Sequence, residues 1–438
     1  MNPDELAYLS AAEQARLIAK RDISPVDLTR VYLERIERWE PTLHAHIIVC
    51  GDRALASARA AEKEIMNGRY RGPLHGLLYG VKDQIWVRGL RTTLGSRLLA
   101  DASPDKDDAT VVRRLDAAGA ILIGKHNLHE FGKGGTRNFF FGEPRNPWNL
   151  EHTPSSSSSG SGIAAAAGLC SGALGEDTGG SIRGPASACG VVGLRPTFGR
   201  VSRYGGVMYS WNSDTIGPLT RTVEDCALFL QAIAGHDPKD PLSSSRPVPD
   251  YSNSLGQGLK GLRLALAWKM IPKDVIDDDV YDATVEAARV FRSLGATVEE
   301  ISLPLADLAV PLQMMTSDAD VAAVMMPKWL RTHWDQIDAD TRVRLAAASL
   351  IPAAVYSRAM RARVIVRRRM LEVLRNFDAI ITPTDIAPAA RIEDVRKTVA
   401  SAENPVQKET LKRMTAYPFS VANAPALAIP SGFSHSGL

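Results

Sequence analysis

Residues 155–186 read Ser155-Ser-Ser-Ser-Ser-Gly-Ser-Gly-Ile163-Ala-Ala-Ala-Ala-Gly-Leu-Cys170-Ser-Gly-Ala-Leu-Gly175-Glu-Asp-Thr-Gly-Gly-Ser181-Ile-Arg-Gly-Pro-Ala186. Taken alone, the Ser/Gly tract has the composition of a flexible linker. Its surroundings argue otherwise. Linkers separate domains, whereas this tract runs straight into a small-residue helix at Ile163 to Ala167. A second glycine-rich turn, Gly175 to Ala186, follows shortly after. Two tight, backbone-exposing segments this close look like the walls of a site. They sit inside an alternating pattern. Leu77 to Val81 reads as a strand, Ala109 to Ala118 as a helix and Ile121 to Gly124 as a buried strand. Leu264 to Ala267 and Ala379 to Thr382 repeat the theme. Strands alternating with helices predict an α/β sheet covered by helices.

Working outward, residues 1–70 read as a helical segment. Leu6, Leu9, Ala12, Leu17 and Ile18 recur at helical spacing. Ser24-Pro25 is an N-cap followed by Pro at the first helical position. A third helix runs from Ala54 to Met66. Residues 71–438 form the main body, with 303–375 mostly helical, as an insertion or lid. Hydrophobic residues make up 45% of the chain and charged ones 23%, an ordinary globular mix. With 52 basic against 49 acidic residues, the net charge of +3 gives no general attraction to nucleic acid or an anionic membrane. Cys50, Cys170, Cys189 and Cys226 are too scattered for a disulfide framework or a cysteine zinc site. No uncharged apolar run approaches the ~18 residues of a membrane span. Asp4 and Glu5 stand where a signal peptide would be apolar. A cytoplasmic, soluble chain is the expectation.

Ser181 carries the chemistry. A serine after two glycines has an exposed hydroxyl surrounded by free backbone N–H groups. Acyl transfer needs that pairing of a nucleophile with oxyanion donors. Phosphate binding is the rival reading of such a turn, but neither a Gly-x-x-x-x-Gly-Lys-Ser/Thr nor a Gly-x-Gly-x-x-Gly motif is present. A serine also needs a base. His126, His129 and His152 lie nearest in sequence, and no Gly-x-Ser-x-Gly elbow surrounds Ser181. The other candidate is Lys82, in Gly80-Val-Lys-Asp83 at the end of an apolar strand, as a lysine kept neutral by desolvation.

These pieces together resemble the amidase signature family of serine hydrolases. Gly80-Val-Lys-Asp83 looks like its lysine motif. Asn146-Pro-Trp-Asn149, Pro154 and the serine tract resemble its approach to a Gly-Gly-Ser-Ser-Gly-Gly-Ser loop. Asp177 to Arg183, Pro185-Ala186, Cys189-Gly190 and Gly193 to Arg200 resemble its signature stretch. Asp214, Gly217 to Thr220 and Thr382-Pro-Thr384 match further on. The resemblance runs from about residue 5 to 438. It implies one large α/β domain with a mixed, twisted sheet between helices, behind an N-terminal helical cap. It implies Ser181 as nucleophile, Lys82 as base and Ser157, after a cis peptide, as the bridging serine. Oxyanion donors would be the N–H groups of Thr178, Gly179, Gly180 and Ser181. Ser155, Ser156 and Ser159 replace glycines of the family loop.

The implied activity is hydrolysis of a small-molecule amide, with aryl amide, ester or carbamate bonds in range, through an acyl-enzyme and without metal or cofactor. The expected chain is a monomer or homodimer that meets neither nucleic acid nor membrane. The alternative is the glutaminase subunit of a tRNA-dependent amidotransferase. Glutamine capture would demand a charged pair, of which Arg363 could be one half. Against that, Arg358, Arg361, Arg363 and Arg367 to Arg369 read as a solvated basic face. Gly132, Lys133 and Gly134 fall in a loop expected to line the acyl pocket, where Lys133 either reads a substrate group or turns to solvent.

Overall fold

The structure, a computed structural model, describes residues 2–134, 139–395 and 411–438. Its main sheet has seven strands. In chain order these are β1 His46–Val49, β2 Leu78–Lys82, β3 Ile121–His126, β4 Gly172–Asp177, β5 Val192–Arg195 and β6 Thr215–Thr220, closed by the last strand, Ala426–Ala428. Their order across the sheet is β1-β3-β2-β4-β6-β5, then Ala426–Ala428. β2 is third in that order, parallel to β3 on one side and to the central β4 on the other. The outer pairings are antiparallel. The sheet is therefore mixed, as expected. Every residue of β2, β3, β4 and β6 is buried. That explains why these segments read as short continuous apolar runs rather than alternating ones.

The N-terminal helices are Pro3–Tyr8, Ala11–Lys20, Pro25–Leu43 and Gly51–Met66. Ser24 caps the third as its sequence suggests, accepting from the Val26 N–H at 2.9 Å. Two features differ from the sequence reading. His46–Val49, read as part of a helical cap, is a strand that adds to the sheet edge against β3. Leu264–Ala267 and Ala379–Ile381 do not join the main sheet. They form a separate parallel three-stranded sheet with Thr297–Ile301. The alternation of strand and helix is the same in one sheet or two, so the sequence pattern does not separate them.

Within 303–375 the helices are Ala306–Met325, Ala339–Ala348 and Ala353–Leu374. They lie against the main body, and Gln313 donates to the Thr178 carbonyl at 3.0 Å. The four cysteines are free and buried. No helix among the described residues is long and apolar enough to cross a membrane.

Close approach pins β1 to β3. A Cβ at Gly124 would meet the Ile48 carbonyl oxygen at 2.5 Å and His46 Cδ2 at 3.0 Å. Gly124→Ala is expected to lower the unfolding free energy by about 1–3 kcal/mol, as overpacking does. Urea denaturation measures it, and a variant as stable as the parent would show that β1 gives way freely.

Candidate functional site

β4 ends at Asp177, and the chain then turns through Thr178 to Ile182 into the helix Arg183–Cys189. The turn is organised by the Asp177 carboxylate. It accepts from the N–H groups of Gly180 (2.8 Å) and Ile182 (3.2 Å), from Arg183 Nε and Nη2 (both 3.0 Å) and from Arg195 Nη1 (3.2 Å). Burial alone would push this carboxyl up. The two guanidinium groups, Arg183 foremost, outweigh it and hold the group well below the usual carboxylate range. Gly180, at φ +124°, is needed for this turn. A Cβ on Gly179 would run into the Tyr417 ring at 2.7 Å. One expectation changes here. The Gly180 N–H points into Asp177, which leaves the N–H groups of Thr178, Gly179 and Ser181 as the oxyanion candidates. Ser181 itself is half-buried.

Lys82 ends β2 and is fully buried. Its Nζ donates to Ser157 Oγ at 2.8 Å. The Ser156–Ser157 peptide is cis, and Ser155 takes φ +63° where the family has a glycine. The serine tract is not a linker. Ser157, Ser158, Ser159 and Ser161 are buried. Ser158 Oγ donates to the Glu176 carbonyl at 3.1 Å, and the Ser158 N–H donates to the Ser181 carbonyl at 3.1 Å. The tract is thus clamped against the end of β4 and the nucleophile turn. Among the described residues no hydrogen bond joins the hydroxyls of Ser157 and Ser181. Glu176 Oε2 lies 3.1 Å from Lys82 Nζ, both side chains being buried.

Gly132, at φ +68°, faces the same spot: an added Cβ would lie 3.4 Å from Ser157 Oγ and 3.9 Å from Lys82 Nζ. Lys133 does not turn to solvent. Its Nζ donates to Ser317 Oγ at 3.2 Å and stands 3.7 Å from Asp318, which Arg344 also grips at 2.7 and 3.0 Å. Burial pulls the Lys133 amine down, and Asp318 opposes that. Gly134 packs on the helix Ala339–Ala348, where a Cβ would meet Thr341 Oγ1 at 2.1 Å.

None of the three histidines hydrogen-bonds either serine hydroxyl among the described residues. The buried His126 ring lies 3.2 Å from Ser161 Oγ. His129 touches Ser157 only through the main chain and stacks edge-on against Phe139. The His152 Nδ1 is buried without a partner. Sequence reasoning assigned no role to Glu176, Asp177, Asp214 or Arg195. The available signal was a pair of carboxylates closing an otherwise apolar strand, with arginines shortly downstream. Among the described residues no group of three His, Cys, Asp or Glu side chains could hold a metal.

His129, partly buried, makes acid stability testable. His129 is lowered from 6.5 to about 4, by burial first and by Lys82 second. An unfolded chain takes up that proton below about pH 6.5, whereas the folded chain refuses it until about pH 4. Stability should therefore fall as pH drops through this window, by on the order of 3 kcal/mol from His129 alone. His129→Asn should make the pH dependence shallower in denaturation series across the window. An unchanged slope would place the proton uptake elsewhere.

A glutamyl-tRNA(Gln) amidotransferase subunit from Moorella thermoacetica is 37% identical, over 98% of this chain and 91% of that protein. A solved structure described as a vestigial protein complex revealing the origins of an s-triazine catabolic enzyme superposes with a TM-score of 0.87 at 31% identity. It covers 96% of this chain and 90% of its own. A bacterial aryl acylamidase of the amidase signature family gives 0.86 at 28% identity, covering 98% and 90%. The first of these overturns the expectation of a chain that meets only a small amide, ester or carbamate, no nucleic acid and no partner beyond a second copy. That relative is one subunit of a larger enzyme, and the enzyme is named for a tRNA. The expectation rested on net charge, which reports only non-specific attraction and is silent about what a partner subunit carries. The Amidase family model matches residues 27–438. The chain belongs to the amidase signature family and is a hydrolase of C–N bonds.

Proposed function

We propose that this chain is the amide-cleaving subunit of an amidotransferase-type assembly, releasing ammonia from glutamine through an acyl-enzyme on Ser181. Ser181 attacks the side-chain carbonyl, and its proton passes to Ser157 and on towards Lys82. Backbone N–H groups of the Thr178–Ser181 turn receive the oxyanion. Ser157 returns a proton to the leaving ammonia, and water then cleaves the acyl-enzyme by the reverse relay.

The observation that carries this reading is Arg363. It is not part of a solvated face but buried. Its guanidinium is held by Gln313 Oε1, Thr316 Oγ1, Ser213 Oγ and the Asn212 carbonyl, at 2.8–3.4 Å, all neutral acceptors. No carboxylate of the described residues pairs with it directly, and Gln313 links it to the Thr178 carbonyl. Burial lowers Arg363 to about 10, and the positive charge of Arg195 adds to that. A buried cation linked through Gln313 to the Thr178 turn, its direct hydrogen bonds going to neutral acceptors, supports capture of a substrate carboxylate. Asp320 lies within electrostatic reach of Arg363. It accepts from Ser210 Oγ at 3.1 Å and Tyr356 at 2.7 Å, a suitable partner for an α-ammonium.

Ammonia release from L-glutamine and from a neutral primary amide should be compared in wild type and Arg363→Gln. The variant is expected to raise KM for glutamine roughly tenfold or more, as a charge-assisted hydrogen bond of ~1.5–3 kcal/mol is lost, and to spare the neutral amide. Equal effects on both substrates, or no turnover of glutamine by wild type with its partner subunits present, would overturn the reading. Ser181→Ala should lose covalent labelling by a fluorophosphonate. Full labelling of that variant would place the nucleophile elsewhere.

A further inference from the structure

After Lys82 the chain turns, and the N–H groups of Gln84 and Ile85 both donate to the Lys82 carbonyl, at 2.8 and 3.0 Å. The Gln84 side chain is buried, and the relay described so far makes no use of it. Main-chain groups of Val207 hold this residue at both ends. The Val207 N–H donates to the Gln84 carbonyl at 2.8 Å, and Gln84 Nε2 donates to the Val207 carbonyl at 3.1 Å. The second bond fixes which way round the amide lies, because the flipped form would set oxygen against oxygen. Among the described residues nothing donates to Gln84 Oε1. Buried acceptors are normally supplied, so one that the protein leaves unsupplied is available to a donor from the substrate.

Gly132 shows what Oε1 faces. A Cβ built there would have as its nearest neighbours Ser157 Oγ at 3.4 Å, Gln84 Oε1 at 3.6 Å and Lys82 Nζ at 3.9 Å. All three are polar side-chain atoms, and none is closer than ordinary contact. The point beside Gly132 is therefore a small polar niche, left open because this residue carries no side chain. The relaying hydroxyl forms one wall and the unsupplied amide oxygen the next.

We propose that Gln84 Oε1 is the acceptor that seats the leaving nitrogen, and afterwards the attacking water, beside Ser157 Oγ in this niche. The inference rests on Ser181 as the nucleophile and Ser157 as its relay. As the C–N bond of a primary amide breaks, the leaving nitrogen takes a proton from Ser157, the relay returning the one that Ser181 gave up. One of the two N–H bonds that the nitrogen already has points to Gln84 Oε1. That contact sets the rotation of the nitrogen and turns its lone pair towards Ser157. In the second half the oxygen of water bonds to the acyl carbon. One of its hydrogens passes to Ser157 and on to Ser181 Oγ as the bond between that oxygen and the acyl carbon breaks. The other donates to Gln84 Oε1. One acceptor serves both halves, because ammonia and water each bring a hydrogen that the relay does not use.

The test separates activation of the nucleophile from events in the niche. Labelling of Ser181 by a fluorophosphonate expels fluoride and uses neither an amine nor water. Acetylation by p-nitrophenyl acetate gives an acetyl-enzyme, whose loss to water is timed by intact mass on quenched-flow samples. Gln84→Met removes the acceptor at similar volume. Its acetyl-enzyme should last roughly tenfold longer or more than that of wild type, while the labelling rate falls by less than about threefold. Gly132→Ala leaves Gln84 paired with Val207 and fills the niche with a methyl group. It should lengthen the lifetime in the same way, and it is the decisive variant if Gln84→Met does not fold. A Gln84 that merely holds the Val207 segment would slow labelling and deacylation by the same factor. That result, or an unchanged acetyl-enzyme lifetime in a folded variant, would overturn the proposal. Failure of wild type to take the label at all would instead remove Ser181 from the role on which the proposal rests.

Discussion

One buried carboxylate holds the catalytic face together. Asp177 is gripped by Arg183 and Arg195, and through them it ties five pieces of chain. Arg195 brings in β5, its second amino group donates to the Ser213 carbonyl before β6, and Asp177 itself closes β4. Arg183 opens the helix behind the nucleophile and reaches Ser420 Oγ and the Ala416 carbonyl in the C-terminal segment. Desolvating three such charges is expensive, and the network is favourable only because every oxygen of Asp177 is used. Removing one partner would leave an uncompensated buried charge, at a cost of about 3–5 kcal/mol. The same two oxygens fix the Gly180 and Ile182 N–H groups, so the nucleophile turn inherits its shape from this clamp.

Much of the site was legible in the sequence because its chemistry is local. Ser181 stands out by the glycines before it and Lys82 by its place at the end of an apolar strand, whereas Ser157, one of five consecutive serines, is singled out only by the family resemblance. What the sequence hid was charge placed by tertiary contact. Arg363 sits among arginines at 358, 361 and 367 to 369, and a charged cluster reads as solvated. Yet the buried residues of its helix are Ala359, Arg363, Val366 and Met370, spaced four, three and four apart. Arg363 occupies an inward position of that stripe, which is the signal that singles it out. The Gly180 donor was lost to a carboxylate three residues earlier, which no motif displays. β1 was read as helix because four residues after a long helix carry too little periodicity to separate the two.

Net charge was uninformative for a related reason. Within the site the charges alternate in sign. Lys82 faces Glu176, Lys133 and Arg344 face Asp318, and Arg183 and Arg195 face Asp177. These eight groups, five cationic and three anionic, are submerged in the 52 basic and 49 acidic residues of the whole chain. A composition that looks unremarkable is compatible with a strongly ordered electrostatic interior.

The position of the site follows from the sheet rather than from any one residue. β2 and β4 are adjacent and parallel, with Val81 opposite Leu174, so their carboxyl ends finish side by side. Open α/β sheets bind ligands at that edge because parallel strands release their connecting turns there. Lys82 is the last residue of β2, and Glu176 and Asp177 are the last two of β4. The amine, its carboxylate partner and the clamp of the nucleophile turn are therefore neighbours by register. Gly175 lets the serine tract approach: a Cβ there would lie 2.9 Å from Ser158 Oγ. The fold thus brings Lys82, Ser157 and the Ser181 turn together at one edge. The same register sets the Glu176 carboxylate 3.1 Å from the Lys82 amine, so the pair is a product of strand alignment rather than of loop geometry.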